Sequence, residues 1–125
     1  MYASQLEAYR SVLKTTMSGR DIEAAALTRC AFMLTECRSN WDAGDCRAKL
    51  SEALRTNQMV WNIFQSELAN PNNPLPKKLR EDILSISLFI VKRILDIHAC
   101  PAPEKLDAII NINLSLAAGL RVKPT

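Results

Sequence analysis

Few side chains in this sequence have the types and the spacing that catalysis requires. The chain has a single histidine, His98, and no serine or cysteine stands in a pattern that would form a nucleophilic site with it. No glycine-rich phosphate loop occurs among the three glycines. The acidic pair Glu81-Asp82 lies at the start of a predicted helix, where the helix macrodipole favours carboxylates. The sequence therefore predicts a protein that is not an enzyme and uses no cofactor.

The four cysteines are the next candidates for chemistry, either as metal ligands or as disulfide partners. They are Cys30, Cys37, Cys46 and Cys100, and they include no Cys-x-x-Cys pair and no zinc-site spacing. Cys30 and Cys37 are seven residues apart, which places them on one face of a helix. The sequence predicts reduced, mostly buried thiols that pack as small apolar side chains, with a metal or redox role as the lesser alternative.

Two groups of polar side chains remain as candidates for binding. Lys77, Lys78 and Arg80 form a basic patch at the start of a predicted helix. The patch is either a solvated face or a contact for an acidic partner or an RNA backbone, so these three are the candidate partner-binding residues. Asn111 and Asn113 stand among isoleucines, and if buried they need hydrogen-bond partners. We expect a bond to a neighbouring helix end, with a partner contact as the alternative.

A proline-rich turn separates the two helices that organise the chain. Pro71 ends the first helix, because a proline cannot continue it and restricts the preceding Asn70. Pro74 extends the turn, and Pro76 suits the first position of the next helix. That helix, residues 76–97, is apolar around most of its circumference and is predicted to be the central, buried helix. Its two apolar stripes are Leu79, Ile83, Ile86, Ile90 and Ile94, and Leu84, Leu88, Val91 and Leu95.

The remaining helices follow from the same spacing. We expect helices at 3–16, from Ser18 or Asp21 to about Arg38, at 46–69 with Trp61 in the core, and at 104–118 with Gly119 as C-cap. No alternating pattern lasts long enough for a strand. The sequence thus predicts an all-α, small single-domain bundle of about five helices over residues 1–125.

Composition limits the function classes. The net charge of +3 is too small, and the basic residues too interspersed with acidic ones, to indicate a nucleic-acid-binding protein. The longest nearly uncharged apolar run, residues 83–91, is far short of the ~20 residues of a membrane helix. The N-terminus has no basic start followed by an apolar run. We therefore expect a cytoplasmic protein without a membrane partner.

One family resemblance covers nearly the whole chain. Its motifs are Trp61-x-x-Phe64, Asn70-Pro71, Pro74-Leu75-Pro76, Leu79-Arg80, the run from Ile83 to Ser87, Asn111-Ile112-Asn113 and Gly119-Leu120. With these motifs in this order, the chain resembles the flagellar biosynthesis regulator FlaF, a small alphaproteobacterial family. The resemblance marks these positions as a family-signature turn and core.

The resemblance implies a non-enzymatic factor of flagellum biogenesis. Family members are required for flagellin synthesis and secretion and act like flagellin chaperones, so unassembled flagellin is the expected partner. A second function class stays open, an RNA-binding regulator of flagellin mRNA, because the family works beside the translational regulator FlbT. The low net charge and the lack of an aromatic stacking platform count against direct RNA binding. A purely structural adaptor is a third, weaker alternative.

Overall fold

The computed structural model describes residues 19–121 as four α-helices and a short 3₁₀ helix. Helix α1 spans Gly19–Ser39, α2 Cys46–Ala69, α3 Lys77–Ala99 and α4 Asp107–Arg121, and the 3₁₀ helix Pro103–Leu106 precedes α4. No strand occurs within residues 19–121. The all-α prediction is confirmed, but with four helices in place of about five, because the helix predicted at 3–16 lies outside the described residues.

Helices α1 and α4 run antiparallel, and polar contacts at both ends of α4 hold it alongside α1. The Arg38 Nε lies 2.7 Å from the Asp107 Oδ1, joining the end of α1 to the start of α4. At the other end of α4, the Arg121 guanidinium donates to the Thr28 hydroxyl at 3.1 Å. These two contacts set α1 and α4 in opposite directions.

The helix at the centre of the bundle is α1 and not α3, so the prediction of a central helix at 76–97 is wrong. Helix α1 contacts α2, α4 and the 3₁₀ helix, and it packs most extensively against α4. The small side chains of Ala24 and Ala31 are fully buried there, which lets the two helices approach closely. Helix α3 packs mainly on α2 and buries a single stripe, Ile83, Ser87, Ile90, Ile94 and Ile97. Its other apolar side chains Leu79, Leu88, Phe89 and Leu95 are exposed.

Asparagine side chains build the turn between α2 and α3. The Asn70 Oδ1 accepts from the backbone N–H of Asn72 at 2.9 Å, and the Asn73 Oδ1 accepts from that of Leu75 at 3.0 Å. The Asn73 amide also donates to the Glu67 carbonyl at 3.0 Å, an acceptor at the end of α2 that it shares with the backbone N–H of Asn70. Asn70, Pro71, Pro74 and Pro76 therefore do form the predicted turn.

Several predicted helix ends differ from the structure. Helix α3 begins at Lys77, so Pro76 is the capping residue and not the first helical one. Helix α4 continues to Arg121 and contains Gly119, which is not a C-cap. Asp21 lies in the first turn of α1 and does not precede the helix. Each difference is one turn or less, because a side-chain pattern constrains the middle of a helix more strongly than its ends.

Candidate functional site

An apolar groove lies between α1 and α2. Its volume is about 380 Å³. Both helices contribute side chains to it, namely Ile22, Glu23, Ala25, Ala26, Arg29 and Cys30 from α1, and Thr56, Met59, Val60, Ile63, Phe64 and Glu67 from α2. Three of these side chains are charged, those of Glu23, Arg29 and Glu67, and most of the others are apolar.

The groove is open because its two walls differ in side-chain size. Helix α1 contributes the small Ala25 and Ala26, which leave space that larger side chains would fill. Opposite them, Met59 and Ile63 of α2 remain half-buried rather than packed against a neighbour. A methionine wall adapts to partners of different shape, because the thioether chain is flexible and polarizable. The groove can therefore take apolar side chains of another helix.

The Cys30 thiol is one of the groups that line this groove. Its side chain is buried. Burial raises the pKa of the Cys30 thiol from 9.0 to about 12, partly opposed by the positive charge of Arg29. Burial likewise raises the pKa of the Cys37 thiol. Both shifts favour the neutral thiol, so Cys30 packs as a small apolar residue of the groove.

The raised pKa of Cys30 predicts how stability depends on pH. Below about pH 9 the thiol is neutral in both folded and unfolded chains. Between about 9 and 12 only the unfolded chain ionises it, so the free energy of unfolding should fall as the pH rises through this window. Urea unfolding at neutral pH and at about pH 10.5 measures the fall. Cys30→Ala should reduce it, while Cys100→Ala, at an exposed thiol, should not. Equal slopes for the two variants would contradict this account.

A buried chain of hydrogen bonds crosses the core next to the groove. The Trp61 Nε1–H donates to the Asn113 Oδ1 at 3.0 Å, and the Asn113 Nδ2 donates to the Asn57 Oδ1 at 2.7 Å. The Asn57 Nδ2 then donates to the Ala53 carbonyl at 2.8 Å and the Cys30 carbonyl at 3.5 Å. Because an indole N–H can only donate, it determines the orientation of both amides. The chain links α4 through α2 to α1.

The predicted signature residues divide between core, turn and surface. Trp61, Phe64, Ile83, Ser87 and Asn113 are buried, and Phe64 also lines the groove. The buried Ser87 hydroxyl accepts from Gln65 at 2.9 Å and donates to the Leu84 carbonyl at 2.6 Å. Leu79, Asn111 and Gly119 lie on the surface, so they are not part of the core. Asn113 bonds side chains in the middle of α2, not the helix end that the sequence predicted.

The three predicted partner-binding cations do not form a uniform basic patch. The Lys78 Nζ lies 2.9 Å from Asp82, and the Lys77 Nζ lies 4.0 Å from Glu81, each one helical turn ahead. Arg80 is half-buried and donates to the Asn70 carbonyl at 3.4 Å, which bonds α3 to the end of α2. Glu81 and Asp82 thus lie in the second turn of α3 and neutralise the lysines. They do not occupy the first turn, where the sequence analysis placed them.

The other chemical candidates are His98 and the remaining cysteines. His98 and Cys100 are exposed, Cys46 is half-buried, and all four cysteines are free thiols. The prediction of mostly buried thiols therefore holds for two of the four. No three metal-binding side chains come together within residues 19–121. Across the same residues, none of the helices is both long and apolar enough to cross a bilayer.

Sequence comparison assigns the family. The profile of the family described as flagellar protein FlaF matches residues 5–120, nearly the whole chain. The chain belongs to the FlaF family. Comparison with curated proteins and with solved structures found no match. The FlaF match spans all four helices, including both walls of the groove and the proline-rich turn.

Apolar spacing alone did not identify the groove of this FlaF-family chain. Val60 and Ile63 of α2 and Ala26 of α1 are half-buried and line it. Apolar spacing identifies which residues avoid water, but two adjoining apolar faces leave a groove only where their side chains are too small to meet.

Proposed function

We propose that this FlaF-family protein binds unassembled flagellin and supports its synthesis and export as a non-enzymatic factor in the cytoplasm. Family membership supports the flagellar setting. The groove between α1 and α2 is the observation that carries the proposal, because its walls are almost entirely apolar. Such a groove suits an amphipathic helix. The ends of flagellin are amphipathic and need a binding partner before assembly.

The dimensions of the groove fit a short helical segment. On α2 the lining residues extend from Thr56 to Glu67, roughly 17 Å at 1.5 Å per residue. About three turns of a partner helix fit along this length, presenting apolar side chains at positions i, i+3 or i+4, and i+7. Glu23 and Glu67 lie on the rim with Arg29, so polar residues beside the apolar stripe of the partner meet charged groups and not the apolar walls.

Filling the groove should abolish this binding without unfolding the protein. Ala26→Phe places an aromatic ring where the partner would insert a side chain. We expect at least a tenfold loss of affinity for monomeric flagellin in titration calorimetry. This loss is on the order of the contribution of one buried apolar contact. Ala118→Phe adds the same ring at an exposed position of α4 and serves as the matched control. The melting temperature of both variants should stay near that of the wild type.

The RNA-binding alternative predicts a different result in the same titrations. Apolar binding in the groove depends weakly on salt, whereas RNA binding weakens steeply as phosphate contacts are screened. Lys77→Glu together with Lys78→Glu should leave flagellin binding unchanged, and Arg80 is retained because it bonds the end of α2. If monomeric flagellin gives no heat at micromolar concentration while the flagellin mRNA leader binds, the proposal is wrong. FlbT is the further partner to test in that case.

A further inference from the structure

Helix α3 carries an apolar stripe that the described residues cover only in part. Its members are Leu84, Leu88, Val91 and Leu95. Leu88 is 60% exposed and Leu95 is 62% exposed, whereas Leu84 and Val91 are half-buried at the edge of the core. We call these four residues the seam. The seam lies on α3, and the groove that we assign to flagellin lies between α1 and α2, so the two surfaces share no residue.

The spacing of the seam is that of a coiled coil. Its members follow one another at intervals of four, three and four residues, which is the alternation of the a and d positions of a heptad. The same alternation reaches Glu81 three residues before Leu84 and His98 three residues after Leu95. Four apolar side chains are therefore bounded by an acid at one end and a base at the other.

We propose that the seam binds the seam of a second copy of this chain, with the two α3 helices antiparallel. Reversing the order of the six positions places Leu84 opposite Leu95 and Leu88 opposite Val91. It also places the carboxylate of Glu81, which lies 4.0 Å from the Lys77 Nζ of its own chain, opposite the imidazole of His98, whose ring N–H can donate to it. The seam is thus self-complementary in its spacing and in its hydrogen-bonding groups, as a two-fold symmetric interface requires. This inference is independent of the flagellin proposal.

The antiparallel direction follows from the ends of the seam. In a parallel pair the two Glu81 side chains would face each other, and so would the two His98 side chains. Antiparallel helices also set the negative end of one macrodipole beside the positive end of the other. Each of these electrostatic effects contributes little between exposed groups, but all of them favour the antiparallel pair.

Helix α3 also has an exposed aromatic side chain, Phe89, which is not part of the seam. Phe89 lies next to Leu88 in sequence and therefore on another side of the helix. The Arg93 guanidinium covers its ring, at 5.2 Å from the ring centre. A cation over an aromatic face already partners that ring within the chain. The seam has no such cover from its own helix.

Sedimentation equilibrium of the full-length chain over micromolar to submillimolar concentration tests the proposal. We expect twice the 14.0 kDa mass of the chain at the upper concentrations. Leu88→Glu with Leu95→Glu should weaken association by on the order of a hundredfold, because four charges would enter the apolar interface. Phe32→Glu changes a residue that is 59% exposed on α1 and is the matched control, which should still dimerise. Helical circular dichroism verifies that each variant is folded.

Charge reversal tests the direction of the helices. Glu81→Lys alone and His98→Glu alone should each weaken the dimer, by about threefold. The two together restore opposite charges in an antiparallel pair and should recover the affinity. In a parallel pair they leave like charges facing each other, so failure to recover would overturn the antiparallel arrangement.

Two other outcomes would overturn the proposal as a whole. One is a wild-type chain that stays a monomer at submillimolar concentration. The other is a monomeric wild-type chain whose Leu88 and Leu95 variant no longer binds flagellin. The seam would then be a flagellin contact. Retained flagellin binding by a monomeric seam variant, together with a wild-type dimer, supports two separate surfaces.

Discussion

Replacing Trp61 with alanine should lower the free energy of unfolding by about 3–5 kcal/mol, measured by urea denaturation. The indole is fully buried, with 0% exposure, and its ring centre lies 5.6 Å from that of Phe64. Truncation would open a cavity between α2 and α4 and remove the donor of the Asn113 Oδ1. Because a domain of this size has about 5–15 kcal/mol of stability, the variant should be close to unfolding.

Trp61→Phe separates packing from hydrogen bonding. Phenylalanine keeps most of the apolar volume but has no N–H, so the Asn113 Oδ1 loses its partner. The expected loss is about 1–3 kcal/mol, the cost of one buried unsatisfied acceptor. If Trp61→Phe were as destabilising as Trp61→Ala, the hydrogen bond would matter more than the volume. Wild-type stability in Trp61→Ala would contradict the assignment of Trp61 to the core.

Asn113→Leu should be the second most destabilising change, at about 2–5 kcal/mol. Leucine has a similar size, but it leaves both the Trp61 Nε1–H and the Asn57 Oδ1 without partners in a region with no access to water. The loss of stability comes from these two polar groups without partners, because a buried polar atom without a hydrogen bond keeps its full desolvation penalty. Urea unfolding measures it, with the slope of the transition as a test of two-state behaviour.

Asn111 offers a matched control two residues away. It lies on the same helix among the same isoleucines, yet its side chain is exposed. Asn111→Leu should therefore change stability by no more than about 0.5 kcal/mol. A large effect at Asn111, or none at Asn113, would show that the buried chain of hydrogen bonds does not contribute as its geometry indicates.

The two proposed surfaces would allow flagellin binding and self-association at the same time. The groove uses α1 and α2, while the seam uses the outer side of α3. A dimer formed through the seam would carry two grooves, and linked sites raise the apparent affinity for a partner that can reach both. Substitutions in the groove are therefore expected to lower the affinity of each site for flagellin, whereas substitutions in the seam should remove only the gain that comes from linking two sites.

The sequence predicted the class of the fold and the position of the helices within residues 19–121. Apolar spacing and the proline-rich turn predicted α2 and α3 to within two residues, because prolines and asparagines restrict the backbone locally. It also identified Trp61 and Phe64 as core residues and the FlaF family from their motifs. The different burial of Asn111 and Asn113 could also be predicted from the sequence. Side chains two positions apart on a helix point in nearly opposite directions.

Tertiary structure alone decided which apolar faces are covered. Helix α3 carries two apolar stripes and α1 is one of the less apolar helices, yet α1 occupies the centre. The reason is that Ala24 and Ala31 let α4 approach closely, and such an approach depends on both helices together. Likewise, Asn57 and Gln65 became partners of Asn113 and Ser87 only when distant segments met. The groove and the seam arise in the same way, as apolar surface left over after the helices have packed.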